Sequence, residues 1–510
     1  MTRFEPPASL VPLLDQCRDI ARASGVAAYV VGGTVRDVLL GRSARDLDLA
    51  VDRDAMAVAR RVADALGGHF VVLDDVNAVA RVVLDAGPVR YIDVAQLQGS
   101  LEDDLRRRDF TIDALAVSLD GADAQPGAAV IQRGVVDVCG GLDDLAARVV
   151  RMNGAAVLNA DPLRLLRGAR IAAELAFAFD PATEAAMRER APRVNDAAPE
   201  RRRDELARIF LLDDAYGGLL LLDRLGLLDA LLPELSPGRG VTQPDAFHAY
   251  DVFEHGLRAV EAMDVMCAGR RPSGDAAWMW DELWRAFAWC EAELRDYLAE
   301  ETAEGRLRAS MLKLAALLHD VAKPQTRAIE PDGRVRFFGH ADAGAAIAGR
   351  IMRRYRFSAK EARFVSVLVA EHLRPVQLAA VGEVPTRRAL YRFHRDLGDA
   401  AVAVLFLALA DAAAARGPRM TSEGWARHVG YMNSLLVRSM KEEGIVDPPR
   451  PLTGRDIIAR FGVPEGPAIG RLLEALREAQ AAGDVADIDD ALAFVERMVR
   501  TEPERAQDRR

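Results

Sequence analysis

The sequence predicts an α+β chain: a small mixed sheet with helices at the N-terminal end, followed by an all-α remainder. Three observations predict it. Up to about residue 120, short apolar runs of strand length alternate with amphipathic helical periods. From Asp161 onward the apolar spacing is almost entirely helical. The composition is that of a folded protein, with 510 residues, 50% hydrophobic and 28% charged. That excludes a disordered chain and allows several domains of about 100–200 residues each.

Taken in order, Leu10–Ala23 reads as a helix and Ala27–Val31 as a short apolar strand running into Gly32-Gly33. Leu47–Val51 is a second strand and Ala55–Leu66 a helix, and Phe70–Leu73, Ala80–Leu84 and Tyr91–Val94 complete the sheet. Helices are then expected at Asp161–Leu175, Pro181–Arg190, Arg201–Leu212 and Gly217–Leu225. Gly/Pro-rich stretches follow at Pro233–Pro244 and Gly269–Gly274. Trp278–Glu304 holds four of the five tryptophans and reads as an inserted helical pair. Further helices are expected at Ala309–Leu318, Ala341–Tyr355, Ala359–Glu371, Thr386–Asp396 and Gly398–Arg416. A Pro-rich linker, Asp447–Leu452, leads to a last helical unit, and Thr501–Arg510 reads as a charged, frayed tail. The expected organisation is a head over residues 1–150, a helical neck over 151–240, a helical body over 241–430 and a C-terminal tail over 431–510.

Several function classes recede at once. The four cysteines, Cys17, Cys139, Cys267 and Cys290, are scattered without a CxxC pair. This argues against a disulfide framework or structural zinc and fits a reducing cytoplasm. The longest uncharged apolar run found toward the C-terminal half, Ala400–Ala410, is short of the ~20 residues a membrane span needs. Met1–Leu10 carries no secretory signal pattern. The net charge of −10 speaks against nucleic acid only bluntly, because a local basic stripe can sit on an acidic body. Only Lys313, Lys323, Lys360 and Lys441 are lysines, so arginine runs such as Arg350–Arg356 and Arg387–Arg392 are discounted evidence for an RNA path.

The head carries the first constellation. A strand ends in Gly32-Gly33, Arg36 follows on a helix start as an expected nucleotide contact, and twelve residues separate Gly33 from Asp46-Leu47-Asp48. Glycines let backbone amides approach a triphosphate, and strand alternation puts both carboxylates on one face. Two carboxylates beside such a turn suit a pair of hard Mg²⁺ ions, with Asp93 on a neighbouring strand as a third acid. This order resembles the polymerase β-like nucleotidyltransferase superfamily. Arg106-Arg107-Arg108-Asp109-Phe110-Thr111-Ile112-Asp113-Ala114-Leu115 resembles the RRDFTINAL block of class II tRNA nucleotidyltransferases and bacterial poly(A) polymerases, with Asp113 where that block has Asn. Arg107 and Arg108 can neutralise a triphosphate and Asp109 can hold a ribose hydroxyl. Asp137 through Leu145, with Gly140-Gly141, is similar to that family's hinge between head and neck.

Asp161 and Arg164 lie three residues apart on one helix face, with Arg167 and Arg170 at the next steps, all four expected to contact nucleotide. A carboxylate accepts from the exocyclic amine of cytosine or adenine while a guanidinium donates to the adjacent ring nitrogen; uracil and guanine present the reverse order. Ala160 to Arg164 resembles the family's EDxxR motif, with Ala160 in place of Glu, and Pro199 to Leu206 resembles its ERxxxEL neck helix.

A second constellation uses five of the eight histidines. The order His255, His319-Asp320, His340, His372, Asp411, with His248 nearby, resembles the HD superfamily of metal-dependent phosphohydrolases. That resemblance implies His255, His319, Asp320 and Asp411 as ligands of a divalent transition metal, and His340 and His372 as holders of a second. The tail, from Thr453-Gly454-Arg455-Asp456 through Gly470, is similar to the tRNA-contacting tail of the same enzymes. The resemblance as a whole implies a polymerase β-like head, helical neck, HD body and tail. It implies template-independent addition of CCA to tRNA from CTP and ATP, with poly(A) synthesis or a CC- or A-adding specialism as alternatives. An HD phosphohydrolase with an RNA-binding head is the rival from another class.

Overall fold

The computed structural model describes residues 3–44, 46–119, 133–244, 248–268, 277–303, 305–381, 385–442 and 445–507. The expected Gly269–Gly274 break and residues 508–510 lie outside them. The chain forms two compact units, Met1–Glu205 with Leu220–Leu231 and Leu206–Leu219 with Leu232–Arg510.

The first unit is built on seven strands: β1 (Ala28–Val31), β2 (Asp46–Val51), β3 (His69–Asp74), β4 (Val79–Val83), β5 (Tyr91–Gln96), β6 (Leu115–Ser118) and β7 (Val136–Asp137). Their order is β3-β4-β5-β2-β1-β6-β7. All neighbours are antiparallel except β2 and β5, which run parallel in a register that sets Asp46 opposite Tyr91 and Asp48 opposite Asp93. The sheet is mixed, as expected. The helix Ala55–Leu66 buries Ala55, Val58, Ala59, Val62 and Ala63, the spacing of a single apolar stripe. Strand β6 was not among the expected strands. It lies between β1 and β7 with Leu115, Ala116 and Val117 all buried, so it lacks the alternation that marks a half-exposed strand.

Helix Leu163–Leu175 starts two residues later than expected, because Asp161 is extended (φ −144°, ψ 106°) and Pro162 is its N-cap. Gly168 on this helix receives the ring of Phe110: a Cβ there would lie 2.4 Å from Phe110 Cζ. In the expected hinge, Gly140 has φ +79°, and a Cβ on Gly141 would lie 2.2 Å from the Thr111 carbonyl oxygen. Gly141 therefore serves close approach of two backbones. The Asp137 carboxylate accepts from the N–H groups of Cys139, Gly140, Gly141 and Leu142 at 2.8–3.0 Å, capping the helix Gly141–Ala147.

The second unit is helical. Helices Val252–Ala268, Arg308–Leu318, Ala359–Glu371 and Ala401–Arg416 pack together, with His340–Arg354 laid on Ala359–Glu371. The expected helical pair is present as Ala277–Phe287 and Glu291–Ala299. Its Trp280 meets the fully buried Trp425 edge-on, and Trp425 Nε1 donates to the Met279 carbonyl at 2.6 Å. The tail has its own small core around Leu452, Ile457, Leu472, Leu476 and Val495.

Two expectations are corrected here. The boundary near residue 430 falls inside the continuous helix Ser422–Lys441. Arginines proposed for an RNA path have protein partners: Arg388 with Asp484, Arg392 with Glu478 and Arg354 with Glu234. The segment Arg387–Arg419 is long and apolar enough to cross a membrane by length and composition, although 72% of its apolar window is buried within the fold. It reads as part of the core here because its helix Ala401–Arg416 packs against several other helices and carries Asp411.

Gly168→Ala tests the seat of Phe110. In open space alanine would gain about 1 kcal/mol over glycine in a helix interior. Against a rigid ring at 2.4 Å it is expected instead to destabilise by about 1–2 kcal/mol, seen as a lower thermal midpoint. A raised midpoint would show that Phe110 moves aside freely.

Candidate active site and metal centre

The glycine turn and the acidic strand are tied by Thr34, a residue the sequence analysis did not single out. Its hydroxyl accepts from the Asp48 N–H at 2.9 Å and donates to the Asp46 carbonyl at 3.1 Å. Gly32 sits at φ +68°, donates its N–H to Leu115 and starts the helix Gly33–Leu39. A Cβ on Gly32 would lie 2.9 Å from Arg108 Nη1 and 3.3 Å from Asp48 Oδ2, so turn, arginine and carboxylate converge at one point. Arg108 also has a buried Nε without a hydrogen-bond partner among the described residues. Arg107 is exposed at the end of the helix Leu101–Arg106.

Burial, Asp93 and Asp46 push the Asp48 carboxyl up to about 6, against the pull of Arg108 and Arg167. A carboxylate crowded by two others is short of positive charge, which is how a cation site looks to a proton. Asp46 and Asp48 therefore fit a pair of divalent ions. Asp93 lies beside Asp48 as expected, but both its oxygens accept from Arg81 at 2.8 Å. Arg81, directly across from Asp93 on β4, was missed.

Arg36, expected to contact nucleotide, is corrected. It is 6% exposed, with Nη1 donating to Asp113 Oδ1 at 2.6 Å and Nε to Asp37 at 2.9 Å. Asp113 is itself 2% exposed. The aspartate that departs from the resembling block is thus neutralised by a buried guanidinium. Arg170 is also corrected: it pairs with Glu174 and Glu205, each at 2.6 Å, joining the helices Leu163–Leu175 and Pro199–Phe210.

The remaining predicted residues do come together. Arg167 Nε lies 3.1 Å from Asp109 Oδ2. Burial opposes charge on Asp109, but Arg167 and Arg164 outweigh it and hold the carboxyl below its usual range. Arg164 donates to the Val157 carbonyl at 3.2 Å. Asp161 Oδ1 accepts from the Leu163 N–H at 3.1 Å, and its two oxygens take the fork of Arg201 at 3.2 and 2.7 Å. The Arg164 backbone N–H donates to the Asp161 carbonyl at 3.1 Å, while each side chain is held by a third group.

The histidine cluster assembles from five helices. His255 is on Val252–Ala268, His319 and Asp320 end Arg308–Leu318, His340 begins His340–Arg354, His372 ends Ala359–Glu371, and Asp411 lies in Ala401–Arg416. Asp320 Oδ2 lies 3.3 and 3.2 Å from the Nε2 atoms of His255 and His319, and Asp411 Oδ1 lies 3.1 Å from His255. Asp320 Oδ1 faces His340 and His372 at 3.3 and 3.8 Å. The Nδ1 atoms of His319, His340 and His372 meet the carbonyls of Ala316, Phe337 and Val369 at 2.7–2.8 Å. An Nδ1–H held this way leaves Nε2 as a lone pair aimed inward, the second-shell arrangement of metal-binding histidines. The Nε2 atoms of His255 and His319 are 3.1 Å apart. Burial opposes a second proton on His319, but Asp320 and Asp411 push it up to about 10, so a proton on Nε2 stands where these carboxylates would hold a cation. The donor set fits two divalent ions sharing Asp320. Lys323, 2.6 Å from Asp320 and 2.6 Å from Gln243, is a further buried member without a spacing signal of its own.

Arg36→Met leaves Asp113 buried and unpaired, and is expected to cost about 3–5 kcal/mol in chemical denaturation. Adding Asp113→Asn should recover most of that loss. An equal loss in the double variant would contradict the pairing.

With this geometry in view, the comparisons with known proteins are direct. Residues 28–151 match the family model of the poly A polymerase head domain. Residues 176–238 match the probable RNA- and SrmB-binding site of polymerase A, and 292–416 match the HD domain. His255 lies outside the last match, and only the fold brings it to the cluster. The chain is 38% identical over 482 residues to the A-adding tRNA nucleotidyltransferase of Deinococcus radiodurans, covering 93% of this chain and 96% of that protein. It is 35% identical over 478 residues to the CC-adding tRNA nucleotidyltransferase of Thermus thermophilus, covering 92% and 93%. A solved CCA-adding enzyme with ATP shares the fold, with a TM-score of 0.58 at 20% identity over 97% of this chain and 95% of that one. A head with paired strand carboxylates at a glycine turn, a helical neck and an HD body, matched nearly end to end by these relatives, make the chain a member of the tRNA nucleotidyltransferase family.

Proposed function

We propose that the chain completes the 3′ end of tRNA without a nucleic-acid template, joining C and A from CTP and ATP and releasing pyrophosphate. The observation that carries this reading is the convergence of Asp48, Arg108 and the Gly32 turn at one point. The 3′-hydroxyl oxygen attacks the α-phosphorus as the bond to the bridging oxygen of the β-phosphate breaks. Asp46 and Asp48 would hold two Mg²⁺ ions, whose chemistry there would be to acidify the hydroxyl and to neutralise the leaving pyrophosphate. The Gly32-Gly33 turn and Arg107 and Arg108 take the phosphates, and Asp109 takes a ribose hydroxyl. Asp161 and Arg164 read the base edge, accepting C and A and rejecting U and G. Residues 1–150 act as the catalytic head, 151–240 as the base-reading neck, the helices from 241 through Ser422–Lys441 as the HD body and the segment after that helix as a tRNA-binding tail, working in the cytoplasm.

A second reading has a specific observation behind it. Four relatives that match nearly end to end are specialists, one A-adding and three CC-adding. The HD centre supports a divalent transition metal at His255, His319, Asp320 and Asp411 and a second at Asp320, His340 and His372. A phosphohydrolase activity there would be independent of the head.

Three tRNA transcripts, ending before CCA, after the first C and after CC, separate these readings when offered CTP, ATP or both with Mg²⁺. Extension that stops at CCA is expected. Arrest at CC, or action on the CC-ended RNA alone, would establish a specialist, and a long A tail a poly(A) polymerase. Asp46→Ala or Asp48→Ala should lower extension by about 10³-fold or more, equivalent to about 4 kcal/mol. His319→Ala should leave it intact; the opposite pattern would move the activity to the HD centre.

A further inference from the structure

We propose that Arg201 is the positioning residue of the base-reading carboxylate and that it sets nucleotide choice. The inference rests on the reading of Asp161 as part of the protein template. Asp161 stands at an awkward place to be rigid. It ends the short helix Ala155–Ala160 in an extended conformation, before Pro162, and its neighbour Ala160 can hold nothing. Its orientation comes from elsewhere in the chain. Arg201, on the helix Pro199–Phe210, grips it with a planar fork, Nη1 to Oδ1 at 3.2 Å and Nη2 to Oδ2 at 2.7 Å. The Leu163 N–H adds a third bond, to Oδ1, at 3.1 Å.

The consequence follows from counting acceptors. A carboxylate offers about four lone-pair sites. Three are occupied, two on Oδ1 and one on Oδ2. One acceptor remains, on Oδ2, in a plane fixed by the guanidinium. A single fixed acceptor matches the one exocyclic amine N–H that cytosine or adenine presents there. Against the carbonyl of uracil or guanine it sets acceptor against acceptor. Against the effect of burial, Arg201 helps to hold the Asp161 carboxyl below its usual range. A protonated carboxyl would donate and so accept the wrong bases. On the other half of the template, Arg164 is anchored separately to the Val157 carbonyl. Arg201 therefore acts on the carboxylate alone. The pair is partly open to solvent, with side chains 55% and 28% exposed, so it adds little to stability and can be removed without unfolding the neck.

The test compares the wild-type chain with Arg201→Gln and Arg201→Lys. The readout is kcat and KM for CTP against UTP on tRNA lacking CCA, and for ATP against GTP on tRNA ending in CC. In Arg201→Gln the ratio of kcat/KM for correct over incorrect nucleotide is expected to fall about tenfold or more. The thermal midpoint should stay unchanged. Arg201→Lys restores the charge but not the fork, and should recover only part of the ratio. A ratio within twofold of wild type in Arg201→Gln overturns the inference, whatever happens to the absolute rate. A wild-type chain that extends no tRNA overturns the parent reading instead. In that case equilibrium binding of CTP and UTP to the same proteins decides the role of Arg201, and an unchanged preference contradicts it.

Discussion

The parallel pairing of β2 with β5 is the constraint on which the head depends. Its register sets Asp48 beside Asp93, while strand alternation puts Asp46 on the same face two residues earlier. Neighbouring strands lie about 4.8 Å apart. At that spacing two unit charges repel by about 3 kcal/mol at an effective dielectric of about 20. The surroundings answer with cations at each point. Arg81 forks Asp93, Arg108 reaches the Gly32 turn beside Asp48, and Arg36 neutralises Asp113 behind it. Even so, Asp48 is left with its carboxyl at about 6, so the cluster still lacks positive charge in front of the Gly32 turn. Binding a divalent ion relieves a repulsion that folding has built in.

Much of this was legible in the sequence because it is local. The glycines, Asp46 and Asp48 lie within seventeen residues, and strand and turn rules place them without knowledge of the fold. Asp161 and Arg164 were legible for the same reason. What was not legible is which arginine serves which acid. Arg36 sits next to the glycine turn in the sequence, yet its partner is Asp113, seventy-seven residues away. Arg170 continues the basic helix face, yet it faces Glu205. An arginine-rich composition multiplies such candidates, and only packing selects among them. Thr34 and Arg81 were missed because a threonine on a helix and an arginine on a strand carry no pattern.

The HD centre shows the opposite case. No spacing rule links His255 to His319 or Asp411; five helices must pack before their ligands meet. The order of residues resembled a known family, and that resemblance named the set. The physical reason becomes visible only in the fold. Ligands stand at helix ends or inside buried faces, and backbone carbonyls orient three of the imidazoles. Arg201 lies between the two cases: the neck motif was recognised, but its contact with Asp161 depends on how helix Pro199–Phe210 folds back.

On this reading β2 and β5 build a carboxylate cluster that exchanges a proton for a cation. Calorimetric titration with Mg²⁺ at pH 7.5 and pH 5.5, on the wild-type chain and Asp48→Asn, addresses it most directly. A carboxyl with its midpoint at about 6 is ionised at the higher pH and largely protonated at the lower. Mg²⁺ affinity should therefore fall about fourfold between the two for that group alone, with proton release on binding at pH 5.5. Asp48→Asn should bind weakly at both. Affinity that is independent of pH, or that survives Asp48→Asn unchanged, would contradict the account.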